Sequence, residues 1–104
     1  MSTPLKESEI AIALDGLPGW TFANDRISKT YKFPDFRRAI AFIVSISFDA
    51  EELDHHPEVS NLYNRVTIVL NTHDAGGKVT AKDIVLAGKI ERIGGYQRSF
   101  SALC

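Results

Sequence analysis

Cysteine is almost absent from this chain: the one thiol, Cys104, is the final residue and has no intrachain partner, which fits a reducing compartment and makes the cytoplasm the expected location. Long hydrophobic runs are missing too. The longest, Ala39 to Val44, falls far short of the roughly 18 apolar residues of a membrane span. Met1-Ser-Thr-Pro has neither the basic start nor the apolar core of a secretory leader, so a soluble, unprocessed protein is expected. Neither sign of charge dominates. With 12 basic and 13 acidic residues, a formal net charge of -1 and no Lys or Arg run, the chain lacks the electrostatic footprint of direct nucleic-acid or membrane-surface binding. Repeats, low-complexity tracts and linkers are absent as well, and 104 residues at 44% hydrophobic composition are expected to form one globular domain, residues 1–104.

What is present is a change of hydrophobic period from segment to segment. Thr3 reads as an N-cap with Pro4 at the first helical position, and Ile10, Ala13, Leu14 and Leu17 recur at helical spacing until Gly16 and Pro18 end the segment. Trp20 and Phe22 alternate with polar neighbours, Asn24-Asp25 supplies a tight turn, and Ile27, Lys29, Tyr31 and Phe33 continue at period two, which is the pattern of a hairpin. Trp20 itself reads as a core or pocket-wall aromatic rather than a reacting group.

Pro34 and Asp35 open the longest segment, where Phe36, Ala39, Ile40 and Ile43 make one apolar stripe and Phe42, Ile46 and Leu53 a second. Alternation of Phe42, Val44, Ile46 and Phe48 with Ser45 and Ser47 also allows a strand, but the span to Asp54 without Gly or internal Pro favours a helix. A helix that is apolar on two sides needs two partners, its own sheet and, most economically, another subunit. Val59 to Tyr63 and Val66 to Thr72 read as a second hairpin, joined near Asn64-Arg65. Thr80 to Asp83 has the form of a capping box, opening a last helix with Ile84, Leu86, Ala87, Ile90 and Ile93 as apolar positions and Gly94-Gly95 as its stop. The order α-β-β-α-β-β-α implies an α+β fold, a four-stranded antiparallel sheet with helices packed on one face.

All three histidines fall within residues 51 to 73, beside most of the clustered carboxylates. Pro57 biases His56 toward an extended backbone, so the preceding helix must end near Asp54 or His55, and the two adjacent histidines point in different directions. Histidine, with an unperturbed pKa of about 6.5, is the natural proton donor or acceptor at neutral pH. Glu51 precedes His55 by four positions, so on a continuing helix its carboxylate would share that face and orient the imidazole. A solvated polar turn is the plainer reading of a His-Pro pair. His73 falls at the exit of the last strand, ahead of Asp74-Ala-Gly-Gly77, where it either projects over a sheet edge into a cleft or is simply exposed. Asp83 has a sufficient structural task in the capping box.

The spacing of Glu51, three residues, His55-His56-Pro57, then Tyr63, His73 and Asp83, with Tyr63-Asn64 and Thr72-His73 around them, resembles the signature of the pterin-4a-carbinolamine dehydratases. The resemblance extends across nearly the whole chain. Val59 is a departure, since many members carry Trp after His-His-Pro-Glu. The resemblance implies the same α+β architecture and a homodimer or homotetramer, with dimers joined edge to edge and paired through helices. It also implies elimination of water from a 4a-hydroxytetrahydropterin to leave quinonoid dihydropterin, in tetrahydrobiopterin recycling, with no cofactor.

Hydroxide is a poor leaving group, so an acid must protonate it while a base takes the proton of the neighbouring ring nitrogen, each typically contributing on the order of 10²–10⁴-fold. The catalytic set implied is His55, His56 and His73, with His55 and His73 as the acid–base pair and His56 binding and orienting. Glu51 and Asp54 would set histidine tautomer and charge, and Pro57, Asp83 and Trp20 complete the binding or orienting group. Two readings of other classes stand beside this one. A zinc or iron site would draw on the histidines, but adjacent His-His chelates poorly and no Cys assists. A non-catalytic dimerisation module is the other, because animal relatives of the family also act as dimerisation partners of a homeodomain transcription factor.

Overall fold

Two hairpins supply all four strands of the sheet. The computed structural model describes the backbone of residues 3–103 and the side chains of residues 3–94; Cys104, on which the expected redox compartment rests, lies outside the described residues. Strand β1 (Thr21–Ala23) returns as β2 (Arg26–Lys32) through Asn24 and Asp25, both at positive φ (54° and 62°), as a two-residue hairpin turn whose twist matches its strands requires. Strand β3 (Glu58–Leu62) returns as β4 (Arg65–Leu70) through Tyr63 and Asn64, one residue earlier than the sequence suggests. The sheet order is β1-β2-β4-β3, antiparallel throughout. Helices α1 (Glu7–Leu14), α2 (Phe36–Leu53) and α3 (Ala81–Leu103) complete the expected order.

The period-two pattern decides which face the helices cover. Ile27 and Tyr31 of β2 pair with Leu70 and Val66 of β4, and these side chains, with Ile68, are buried against Phe42 and Ile46 of α2 and Leu86, Ala87 and Ile90 of α3. The opposite face is mostly polar, and Thr30 and Thr67 meet there, hydroxyl to hydroxyl, at 2.9 Å. Strand β3 is exposed at every residue and forms an edge, although Val59 shares the helix-side face with its partner Ile68. Among the described residues no helix is long and apolar enough to cross a membrane.

Three details differ from the sequence reading: two helix boundaries, each through a contact distant in sequence, and the buried stripe of α2. Helix α1 begins at Glu7 rather than at Pro4: Leu5 donates its N–H to Val79 O at 2.8 Å, which holds the preceding residues extended, and Glu9 accepts the Lys6 N–H at 2.8 Å to close the first turn. On α2 the buried stripe is Ala39, Phe42, Ile46 and Ala50. Phe36 and Ile40 belong instead with Val44 and Phe48 on a strict four-residue repeat that faces outward, with Phe48 72% exposed. Helix α3 does not stop at Gly94-Gly95. Gly94 lies inside the helix against the Tyr31 ring, where a Cβ would come within 2.6 Å of a ring carbon.

A polar knot fixes α3 to the sheet nearby. Glu91 Oε1 accepts from Tyr31 Oη at 2.6 Å, Lys29 Nζ at 2.7 Å and Trp20 Nε1 at 3.3 Å. Burial pushes the Glu91 carboxyl up, but bonds from Lys29 and Tyr31, the Lys29 charge and the Trp20 indole outweigh it and hold the group below the usual carboxylate range.

Replacing Gly94 with Ala tests the close approach to Tyr31. Overpacking a filled contact costs about 1–3 kcal/mol, against a gain of about 1 kcal/mol for Ala over Gly within a helix. Urea denaturation is therefore expected to show a net loss of stability for Gly94→Ala, and a more stable variant would contradict the packing.

Candidate active site

Helix α2 ends in a way that decides where both adjacent histidines go. Asp54 adopts the left-handed conformation (φ 51°, ψ 45°), its N–H bonds Glu51 O at 3.1 Å, and the His55 N–H bonds Ala50 O at 3.0 Å. This is the Schellman arrangement, with aspartate in the place most often held by glycine. The reversal swings His55 inward to 7% exposure and leaves His56 outside. Glu51 consequently meets His56, at 2.7 Å between exposed side chains, and not His55 as a continuing helix would have required.

The inward histidine meets a carboxylate from the far end of the chain. Asp83 is fully buried in the first turn of α3, and its Oδ1 lies 2.5 Å from His55 Nε2. Its Oδ2 accepts the Thr80 N–H at 2.9 Å, which is the capping-box bond read from the sequence, and the Thr72 hydroxyl at 2.9 Å. The capping task and the histidine contact are therefore performed together, one by each oxygen. Thr72 arrives because β4 points Val66, Ile68 and Leu70 inward, and the same parity carries on to residue 72. A bridge closes the loop after it: Thr72 N–H to Lys78 O at 2.8 Å, around a 3₁₀ turn at His73–Ala75 and two left-handed glycines, Gly76 and Gly77.

His73, on that turn, shares a cavity of about 270 Å³ with His55, His56, Asp54 and Thr72. Asn71, Asp74 and Lys82 complete its wall, and none of these three stood out in the sequence as a site residue. The cavity is open and polar, at the small end of the range for ligand pockets. Glu51 and Pro57 do not line it. They border an apolar groove of about 170 Å³ between α2 and β3, with Ile43, Ile46 and Val59, and His56 belongs to both walls. Trp20 lies apart from both cavities, in the core, with its ring T-shaped against Tyr31 and its indole N–H on Glu91. Among the described residues no three His, Cys, Asp or Glu side chains converge as a group able to hold a metal ion.

The family model described as pterin 4 alpha carbinolamine dehydratase matches residues 3–93. The chain belongs to the pterin-4a-carbinolamine dehydratase family. A protein of Opitutus terrae that bears this dehydratase name provisionally is 52% identical over 93 residues, covering 89% of this chain and 96% of its own. A Solibacter usitatus protein named in the same way is 48% identical, covering 89% and 97%. The crystal structure of a transcriptional coactivator/pterin dehydratase from Brucella melitensis superposes with a TM-score of 0.85 at 42% identity, covering 89% of this chain and all of that one. A pterin dehydratase-like protein identified as a RuBisCO assembly factor in the alpha-carboxysome shares the fold alone, at 18% identity and a TM-score of 0.60.

Asp83→Asn tests the double duty of this carboxylate. An amide has one acceptor oxygen where the carboxylate has two, so either His55 or the Thr72–Thr80 pair loses its acceptor. A loss of about 1–3 kcal/mol is expected in urea denaturation. Unchanged stability would contradict the bonding described.

Proposed function

We propose that the chain dehydrates a 4a-hydroxytetrahydropterin to quinonoid dihydropterin, as in tetrahydrobiopterin recycling, by acid–base catalysis between histidines. The observation that carries this reading is that His55 and His73, from separate elements, line one polar cavity, and that the first is backed by a buried carboxylate. Family membership supports the substrate class. In this reading one of the two protonates the departing 4a hydroxyl while the other removes the ring-nitrogen proton. His56, in contact with Glu51, and Asp54 bind and orient the pterin from the helix end, and no cofactor takes part.

Oligomerisation is part of the same proposal. The outward stripe of Phe36, Ile40, Val44 and Phe48 and the uncovered edge of β3 are both suited to a second copy of the chain, as a homodimer or homotetramer. The stripe would equally suit a protein partner of the kind that the Brucella relative's coactivator name indicates. A cytoplasmic location remains our expectation for such an enzyme.

Purified protein should accelerate dehydration of a synthetic 4a-hydroxytetrahydropterin over the spontaneous rate. His55→Ala and His73→Ala should each lower kcat, by about two to four powers of ten at most, whereas His56→Ala should act chiefly on KM. No acceleration by the wild type would remove the enzyme reading, and full activity in both variants would remove the mechanism. Light scattering at micromolar concentration should give at least twice the mass of one chain, and a monomer throughout would refute the oligomer.

A further inference from the structure

We propose that Thr72 and Thr80 are positioning residues of this site: their hydroxyls form a one-way hydrogen-bond chain that keeps Asp83 an acceptor at both oxygens, and so holds His55 with its proton on Nε2 and its Nδ1 turned to the cavity. The proposal rests on the dehydratase reading above and deepens it by naming the atom of His55 that exchanges a proton with substrate.

The direction of the chain follows from counting hydrogens. A threonine hydroxyl has one to give. That of Thr72 goes to Asp83 Oδ2, at 2.9 Å. In the 2.6 Å contact between the two threonines, Thr80 is therefore the donor and Thr72 the acceptor. Thr80 Oγ1 in turn accepts the Lys82 N–H at 3.2 Å. Every hydrogen in the series points toward Asp83, whose Oδ2 receives a second one from the Thr80 N–H. Oδ2 accepts two hydrogens and gives none, and a carboxylate has no hydrogen of its own to donate, so the proton in the Asp83–His55 contact belongs to the imidazole. All the groups involved are shielded: Thr72 is 3% exposed, Thr80 1% and Asp83 0%.

The other ring nitrogen is left for chemistry. His55 Nδ1 has no hydrogen-bond partner among the described residues, and since no polar side-chain atom of these residues is both buried and unpartnered, Nδ1 is open to solvent in the cavity that His55 lines. Which nitrogen of a histidine carries the proton is set by the bond the other one makes. With Nε2–H spent on Asp83, a neutral His55 offers a lone pair at Nδ1 and accepts the substrate proton there; protonated, it donates from the same atom. Donor and acceptor are thus one fixed atom in both halves of the cycle, and no ring flip intervenes. A capping role alone would account for the Thr80 contacts, but it gives Thr72 no reason to donate to the oxygen opposite His55.

Thr72→Val keeps the shape of the side chain and removes the hydroxyl, and Thr72→Ser restores it. Imidazole nitrogen–proton correlation spectra read the tautomer of His55, and steady-state kinetics on a synthetic 4a-hydroxytetrahydropterin read kcat and KM. The wild type should show neutral His55 as the Nε2–H tautomer alone. Thr72→Val should introduce the Nδ1–H form and lower kcat on the order of 10- to 100-fold, with KM little changed, and Thr72→Ser should restore both. If Val is not accommodated, Thr72→Ala, which only removes atoms, is read the same way. An unchanged tautomer and unchanged kcat in the folded variant would overturn the proposal and leave the dehydratase reading intact. An inactive wild type would instead overturn that reading, and the tautomer spectra would then decide the positioning claim by themselves.

Discussion

A carboxylate with no solvent exposure is stable only where donors surround it, and Asp83 finds its donors on three different elements. Its own helix start contributes the Thr80 N–H, the exit of β4 the Thr72 hydroxyl, and the end of α2 the His55 imidazole. Removing any of these leaves a buried charge short of a partner. The start of α3, the last turn of α2 and the strand between them are therefore held in mutual register at one point. Two of these donors, His55 and Thr72, also line the cavity, so the contact that assembles the fold locally is the one that aims the histidine.

The second constraint is the left-handed Asp54. Had α2 continued, Glu51 would have faced His55, and both would have looked to solvent along the helix. The reversal at Asp54 sends adjacent histidines to environments that differ in burial: His55 is buried on a carboxylate shared with a helix cap, while His56 is exposed on a carboxylate that is itself exposed. Such a division suits two tasks. A proton-transfer group needs a fixed tautomer and a fixed position, which the buried partner supplies. A binding group tolerates mobility, and a contact between two exposed side chains fixes little.

The elements were legible in the sequence because periodicity is local. Alternation located both hairpins, Asn24-Asp25 and the His-Pro pair marked a turn and a helix end, and the order α-β-β-α-β-β-α followed. The histidines at 55, 56 and 73 were visible by residue type and spacing. What escaped depends on neighbours far along the chain. Gly94 looks like a helix stop until Tyr31 is seen packed against it, and Pro4 looks like a helix start until Leu5 is seen bonded to Val79. The pairing of Asp83 with His55 joins residues 28 apart, so the capping box gave only half of its role. Thr72 did leave a trace: a polar side chain at a position that the parity of Val66, Ile68 and Leu70 assigns to the interior must have a polar partner there. Glu91 left none, since a glutamate on a helix gives no sign that Lys29, Tyr31 and Trp20 will converge on it.

The most direct measurement is a crystal structure of the protein with a stable reduced pterin, such as a 7,8-dihydropterin, bound. The ring is expected between His55 and His73, with His55 Nδ1 at hydrogen-bond distance from it and Nε2 still on Asp83. A pterin seated instead in the apolar groove beside Val59, with the cavity at His55 left open, would contradict the assignment of the site.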